Sequence, residues 1–188
     1  IFGRLRQMLM EQLDLSRELS DKEILDVIDE AKWGEHEQFI ADTCAANPDV
    51  KWRIVCSHYS PYNSYQDYLE NAKRIRPYYL SFTSKYDIDL VMCGHDHSYM
   101  RSNFIQADGS YKEYESPAVN PEGTMYLTLS SSSGSLFHNP TAQNEAAVAK
   151  KLKKPQVTDI QITDNSLKVK TYEAESWEVV DEFEIQKQ

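Results

Sequence analysis

The first 47 residues show apolar positions at helical spacing. Apolar residues recur every three or four positions in "RLRQMLMEQLDLSREL", which predicts a helix at residues 4–19. A second helix is predicted in "LSDKEILDVIDEAKW", where Ser20 and Glu23 have the spacing of a capping box. A third is predicted in "GEHEQFIADTCAAN" and ends before Pro48. Residues 1–47 are therefore predicted to be mainly helical.

The pattern changes after residue 48. "KWRIVCSH" and "IDLVMC" are short, apolar, β-rich runs, and "LENAKRIRPYYLSFTSKY" between them has helical character. Pro77 falls inside that stretch, so we expect the helix to begin near Pro77 or to kink there. Strand, helix and strand at this spacing predict a βαβ unit with parallel strands and a right-handed crossover.

The remaining sequence is mostly β in pattern. "GTMYLTLS" predicts a strand, and "NEAAVAKKLKK" predicts a short basic or helical connector. "QVTDIQIT", "SLKVKTYE" and "WEVVDEFEIQ" alternate apolar and polar residues, which predicts an antiparallel meander. The predicted fold class is α/β, with a helical N-terminal segment, a βαβ unit and then antiparallel strands. We predict a single domain over residues 1–188, in which 1–47 is helical and 48–188 carries the βαβ unit and the meander.

The composition narrows the function classes. Of the 188 residues, 40% are hydrophobic, and 30 acidic against 20 basic residues produce a net charge of −10. This charge argues against nucleic acid and membrane as partners, because both attract basic surfaces. No apolar run reaches the roughly 18 residues of a membrane span. A phosphate-binding site in so acidic a chain needs local positive charge, which a metal ion can supply.

The cysteines do not indicate a disulfide scaffold. Cys44, Cys56 and Cys93 are odd in number, and none forms a CxxC pair. Cys56 and Cys93 lie inside the two most apolar strand runs, so we expect both thiols to be buried.

Three histidines stand where the two parallel strands are predicted to end. His58 closes "WRIVCSH", and His95 and His97 follow "DLVMC". Loops at the carboxyl ends of parallel strands meet at one edge of a sheet, so these imidazoles are predicted to converge as metal ligands. We expect Gly94 to provide the sharp turn that lets both histidines of "GHDH" face one side while Asp96 faces away. The alternative is a polar turn in which each imidazole makes only local hydrogen bonds.

The histidine motifs resemble those of a known family. "VCSH" (Val55–His58) and "GHDHSYMR" (Gly94–Arg101) are similar to the VxxH and GHxH motifs of calcineurin-like metallophosphoesterases. "HYSPYNSYQDYLEN" and the closing "VDEFEIQK" resemble the purple acid phosphatase branch, and the likeness covers about residues 35–188. The resemblance implies the C-terminal part of an α/β/β/α sandwich.

The resemblance also implies a chemistry. The family holds two metal ions, iron plus zinc, manganese or a second iron, and hydrolyses phosphate monoesters or diesters with a metal-bound hydroxide. By motif match, His58 and His95 would bind the divalent ion and His97 the other ion. Arg101 is a candidate for substrate binding, and Tyr99 for support of the site. The resemblance further implies an extracellular or cell-envelope location.

This chain departs from the family pattern in one important respect. The carboxylate ligands of the family come from Asp, Gly-Asp and Gly-Asn motifs, and neither "GD" nor "GN" occurs in these 188 residues. We expect those ligands to lie N-terminal to Ile1, which makes this chain the C-terminal part of a longer enzyme. Its partner is then the missing N-terminal part of the same protein. The chain by itself is expected to be inactive and to bind no metal, or one ion weakly.

The loop after "VCSH" also differs from the family. Purple acid phosphatases often carry a histidine there, but "YNSYQDYLE" has none, and Asp67 stands near that position as a candidate catalytic acid. Tyr62 and Tyr65 are candidates for stacking on a substrate, and packing of the loop explains them equally well. His138 is interpreted as structural or exposed.

Two other functions stay open at this point. The first is a non-catalytic domain that keeps the fold and the histidines for binding or structure. The second is a mononuclear zinc hydrolase that uses the three histidines as its ligands. Metal content separates these possibilities.

Overall fold

A computed structural model describes residues 7, 11, 20–63, 65–134, 136–141 and 143–188, with only the backbone of residues 21–31. The chain divides into two compact units, Ile1–Pro48 and Asp49–Gln188. The helix predicted at residues 4–19 lies outside the described residues apart from Gln7 and Glu11. The predicted organisation as a single domain stays a prediction.

The first unit contains one long helix, α1, over Asp21–Ala46. The second and third predicted helices are thus a single helix, and their predicted separation is wrong. Gly34 lies within it, and one interior glycine costs only about 1 kcal/mol, which is too little to end a helix of this length. Pro48 follows two residues after Ala46 and accounts for the end of α1, because the residue before a proline, here Asn47, avoids helical angles. Within the described residues, no helix is long and apolar enough to cross a membrane.

The second unit begins with the predicted βαβ unit. A short 3₁₀ helix precedes α2, whose buried face includes Ile75, Tyr79 and Phe82. The elements of the whole unit, in chain order, are β1 (Ile54–Ser57), the 3₁₀ helix (Gln66–Tyr68), α2 (Leu69–Lys85), β2 (Leu90–Cys93), β3 (Tyr99–Ile105), β4 (Tyr111–Lys112), β5 (Ala118–Val119), β6 (Thr124–Thr128), β7 (Ala146–Lys150), β8 (Gln156–Ile162), β9 (Ser166–Glu173) and β10 (Val179–Gln186).

The strands form two sheets. One sheet has the order β1-β2-β6-β3-β4, with β7 also paired to β3, and the other has the order β5-β10-β9-β8. β1, β2 and β6 are mutually parallel neighbours, whereas β8, β9 and β10 form the predicted antiparallel meander. The predicted α/β class, the βαβ unit and the meander are therefore confirmed.

The hydrophobic core lies between the two sheets. Leu90, Met125 and Leu127 from one sheet share a cluster with Leu167 and Ile185 from the other, and each is at most 1% exposed. The sheets therefore pack as a sandwich. β1 is the last strand of its sheet in the described part of the chain, so one side of β1 carries no strand there.

Two helix and connector predictions are corrected. Pro77 lies inside α2, so the helix does not begin near it; burial of an apolar face on both sides of Pro77 outweighs the hydrogen bond that proline cannot make. The connector predicted in "NEAAVAKKLKK" contains β7, which pairs with β3 at Met100↔Ala149 and Arg101↔Val148. Alanine has a high helix propensity, but propensity is small in free energy and is overridden by this tertiary pairing.

Two strand predictions also change. β3 has no counterpart among the predicted strands, because "YMRSNFI" is buried almost throughout and so lacks the alternation that marks a half-buried strand. Cys93 is buried as expected, but Cys56 is exposed, and its predicted burial is wrong. Its strand, β1, stands at the edge of the described sheet, where less of the protein covers it.

Candidate functional site

Two of the predicted ligands meet at the carboxyl ends of β1 and β2. The parallel register pairs Ser57 with Cys93, so the residues that follow each strand leave the sheet side by side. The Gly94 amide donates to the His58 carbonyl at 3.1 Å and extends this pairing by one step. Nδ1 of His95 then lies 3.1 Å from Nε2 of His58. The structure therefore brings these two imidazoles into direct contact, as the strand-end argument predicts.

The backbone of "GHDH" takes an unusual path. His95 and His97 have φ values of 69° and 47°, whereas Gly94 is not among the residues with positive φ. The prediction that Gly94 provides the turn is therefore wrong, because the two histidines themselves adopt the left-handed conformation. Asp96 between them is 1% exposed and points into the protein, so His95 and His97 both face outward. Each left-handed histidine costs about 1–3 kcal/mol, which the surrounding contacts must offset.

His97 is held by a separate segment of the chain. Its Nδ1 lies 3.0 Å from the carbonyl oxygen of Leu136. A carbonyl can only accept, so Nδ1 carries the proton and Nε2 of neutral His97 keeps its lone pair. Metal-binding histidines commonly donate their other ring nitrogen to a carbonyl or carboxylate in this way.

Aromatic rings surround His95. The rings of Tyr59 and Tyr68 approach its imidazole with centroid distances of 4.3 Å and 4.4 Å. Burial, followed by the charges of the nearby histidines, lowers the pKa of His95 from its ordinary 6.5. A lower pKa favours the neutral imidazole, which is the form that binds metals.

A fourth imidazole, His138, joins this group from the loop between β6 and β7. Its amide donates to the His97 carbonyl at 3.1 Å, and the two ring centroids are 6.2 Å apart. Its ring stacks on Tyr65 with a centroid distance of 3.9 Å and an interplanar angle of 21°. His138 was not predicted to lie at the site, because no pattern near it indicates a strand end or a metal motif.

Tyr62 does not lie at a pocket rim. It is 1% exposed, and its ring packs against Tyr126 at 4.6 Å while the Arg76 guanidinium lies over it at 4.2 Å. Burial raises the pKa of Tyr62 to about 12. Its candidate role in stacking on a substrate is therefore not supported, because its ring surface is already used in the core.

Arg101 is likewise buried, and its guanidinium is bound within the protein. Its Nε and Nη2 donate to the two carboxylate oxygens of Asp181 at 2.7 Å and 3.3 Å, and its guanidinium lies 4.3 Å from the Phe183 ring centroid. The Tyr99 hydroxyl donates to the same carboxylate at 2.8 Å. These contacts join β3 to β10 across the sandwich. Arg101 and Tyr99 thus have a structural explanation, and the candidate role of Arg101 in substrate binding is not supported.

Asp67 and Tyr65 form a pair at the surface. The Tyr65 hydroxyl donates to the Asp67 carboxylate at 2.7 Å, and this bond raises the pKa of Tyr65. Asp67 is exposed, and its carboxylate accepts this hydrogen bond rather than donating one. The role of Asp67 as a catalytic acid stays a prediction, and the ring of Tyr65 stacks on that of His138.

The donor set fits only part of a metal site. Two imidazole nitrogens bound to one ion at about 2.0–2.1 Å would be about 3.3 Å apart in a tetrahedral site, close to the 3.1 Å between His58 and His95. Within the described residues, however, no group of three His, Cys, Asp or Glu side chains could hold a metal ion. The imidazoles suit a transition metal, and further donors are needed to complete its shell.

Comparison with known proteins supports the resemblance seen in the sequence. The sequence profile of calcineurin-like phosphoesterases matches residues 9–99. Two uncharacterized proteins of Mycobacterium tuberculosis, from strains CDC 1551 and H37Rv, are each 34% identical over 55 residues. That match covers 29% of this chain and 10% of either relative, so this chain shares only a small part of their length.

Solved structures share the fold. A purple acid phosphatase, PPD1 from yellow lupin seeds, aligns with 83% of this chain and 28% of its own, at a TM-score of 0.60 and 16% identity. GAP50, described as the anchor in the inner membrane complex of Plasmodium, aligns with 87% of this chain and 44% of its own, at 0.62 and 14% identity. At such identities the likeness concerns the fold.

The family profile and the fold together confirm the predicted resemblance to calcineurin-like phosphoesterases. The fold is that of a metallophosphoesterase, and a purple acid phosphatase is among the structures that share it.

Proposed function

We propose that this chain supplies the histidine ligands of a dinuclear metal site in a phosphoesterase that hydrolyses phosphate monoesters or diesters. The proposal rests on one observation above all: Nε2 of His58 and Nδ1 of His95 lie 3.1 Å apart at the ends of two paired strands. The neighbouring His97 is held in the tautomer that leaves Nε2 for a metal. The proposed location, outside the cell or in its envelope, rests on the family resemblance.

Each histidine has a distinct part in the proposal. His58 and His95 would hold the divalent ion, and His97 would hold the second ion, which is iron in the purple enzymes. When bound, the two ions would polarise the phosphoryl oxygens and activate a water molecule for attack on phosphorus. The rings of Tyr59 and Tyr68 restrict the orientation of the His95 ring. Its Nδ1 therefore already lies beside Nε2 of His58 without a bound ion.

The remaining ligands would come from another part of a longer protein. The chain contains neither a Gly-Asp nor a Gly-Asn motif, and its described residues form no group of three donors that could hold a metal ion. β1 is the last strand of its described sheet, and an open strand edge favours pairing with a further strand. We propose that the carboxylate-bearing part of the protein lies beside this edge.

The test compares metal content and turnover in two proteins. One is this 188-residue chain, and the other is a longer protein that adds the carboxylate motifs. With p-nitrophenyl phosphate we expect no turnover from the chain and full turnover from the longer protein with two bound ions. His58→Ala and His97→Ala should each remove one ion and reduce turnover more than about 100-fold. That loss is larger than the roughly 10- to 100-fold that follows from removing a residue which only supports a metal ligand. His36→Ala, in the exposed part of α1, is the matched control and should change neither quantity.

A non-catalytic binding or structural domain is the second candidate. It is favoured by the lack of a three-donor metal group in the described residues and by the fold shared with GAP50, a protein described as an anchor. A longer protein without bound metal and without turnover would support it. Tight binding of one zinc ion per 188-residue chain, lost in His58→Ala, would instead support the mononuclear zinc hydrolase.

A further inference from the structure

The segment Leu136–His138 contacts His97 at two points. The Leu136 carbonyl accepts from Nδ1 of His97 at 3.0 Å, and the His138 amide donates to the His97 carbonyl at 3.1 Å. One short segment thus holds both the side chain and the backbone of this histidine. A side chain held in this way keeps one ring orientation and one tautomer.

The backbone of His97 needs such support. Its φ of 47° lies in the left-handed region, which a non-glycine residue adopts only when its surroundings enforce it. Gly134, two residues before Leu136, has a φ of +76°, and an added Cβ there would lie 3.0 Å from Pro155 Cγ. Substitution of Gly134 would therefore strain the backbone two residues before Leu136.

The segment is anchored by the ring of His138. That ring stacks on Tyr65 at 3.9 Å, and the Tyr65 hydroxyl is bound to Asp67 at 2.7 Å. Tyr65 also meets Tyr68 edge-on at 4.9 Å, and Tyr68 contacts His95. The His138 ring therefore connects the loop between β6 and β7 to the loop that flanks His95.

We propose that His138 is a positioning residue: its stacking on Tyr65 holds the Leu136 carbonyl against Nδ1 of His97 and so keeps Nε2 of His97 as the metal donor. The assignment of Nε2 to a metal rests on the proposed function. The clamp, by which we mean the hold of Leu136–His138 on His97, does not. Leu136 is 51% exposed, so its own side chain adds little to holding the carbonyl. The contacts that hold it are the His138 amide and the stacked His138 ring, and we assign the decisive part to the ring.

The first experiment measures the tautomer of His97 in the 188-residue chain without metal. ¹⁵N-labelled histidine spectra, recorded about two pH units above the ordinary histidine pKa of about 6.5, report which ring nitrogen carries the proton. We expect a single Nδ1–H form in the native chain. His138→Ala and Tyr65→Leu should both produce a mixture with the Nε2–H form. His138→Phe keeps a stacked ring without ring nitrogens and should retain the native tautomer.

Each outcome decides for or against the clamp. An unchanged Nδ1–H form in a folded His138→Ala chain, judged by its backbone amide spectrum, would overturn the proposal. If His138→Ala does not fold, Tyr65→Leu tests the same stack by removing the partner ring, and an unchanged Nδ1–H form in that variant would also overturn the proposal. A mixed tautomer in His138→Phe would also contradict it, because the ring would then act through its nitrogens.

The second experiment measures metal affinity in the longer protein. Titration with Zn²⁺ should show binding at the His97 ion about 10- to 100-fold weaker in His138→Ala, the usual cost of losing an outer-shell partner, and near-native binding in His138→Phe. Equal losses in both variants would make His138 a ligand and refute a positioning role. A longer protein that binds no Zn²⁺ would overturn the proposed function while the tautomer result still decides the clamp.

Discussion

The carboxyl ends of β1 and β2 differ in construction from the meander of β8, β9 and β10. In the meander, alternate residues of β9 are buried, and its half-buried Lys168 and Lys170 face Glu184 and Glu182 of β10 at 3.5 Å and 2.9 Å. At the strand ends, left-handed histidines are held by contacts with loops distant in sequence. The meander follows a local period, whereas the candidate site depends on several segments arriving together.

This difference separates stability from chemistry. The meander and its link to β3 bury apolar surface and one ion pair, so changes there should reduce the free energy of unfolding. The imidazoles at the strand ends are exposed or half-buried and contribute few core contacts. Changes to them should affect metal binding and leave the fold nearly unchanged.

The largest effect is expected from loss of the ion pair that joins the sheets. Asp181 and Arg101 have side chains only 10% and 9% exposed, and Asp181→Ala would leave a buried guanidinium without its carboxylate. We expect a loss of about 3–5 kcal/mol in the free energy of unfolding, measured by urea denaturation. Glu182→Ala on the same strand is the control and should cost at most about 1 kcal/mol, because Glu182 is exposed and water screens its ion pair. Equal losses in the two variants would mean that the buried pair is not the link between the sheets.

A smaller effect on the free energy of unfolding is expected when the pH is lowered. Hydrogen bonds from Ser176 and then Lys154 lower the pKa of Glu173, at the end of β9, from 4.5 to about 2. A pKa lowered by folding stabilises the native state above pH 4.5, and this contribution is lost as the pH falls towards 2. Urea midpoints should therefore fall more steeply with pH over this window in the native chain than in Glu173→Gln. Parallel curves of urea midpoint against pH for the two proteins would show that Glu173 does not contribute to the pH dependence of stability.

The smallest effect on stability is expected at the strand ends. His58 is exposed, so His58→Ala should change the free energy of unfolding by no more than about 0.5 kcal/mol. The same variant removes one of the charges that lower the pKa of His95, so NMR titration should show that pKa rising. A large loss of stability in His58→Ala would contradict the division between the two regions.

Patterns that are local in sequence account for most of the successful predictions. The meander and the βαβ unit follow from alternation and from the spacing of apolar runs, because each strand presents one face to the core. β7 did not follow, since an alanine-rich segment carries no strong period and takes its state from its neighbours. For Tyr62 the sequence left packing and substrate stacking open, and the structure favours packing. Gly94 was expected to make the turn that the two histidines make themselves.

The sequence by itself determined which imidazoles stand at strand ends: the motifs around His58, His95 and His97 end apolar runs, and parallel strands bring their carboxyl ends together. Only the tertiary structure decided what holds these imidazoles. The Leu136 carbonyl, the His138 ring and its Tyr65 partner come from separate loops. The contact that sets the tautomer of His97 spans 39 positions and depends on how the loops pack, which no local period encodes.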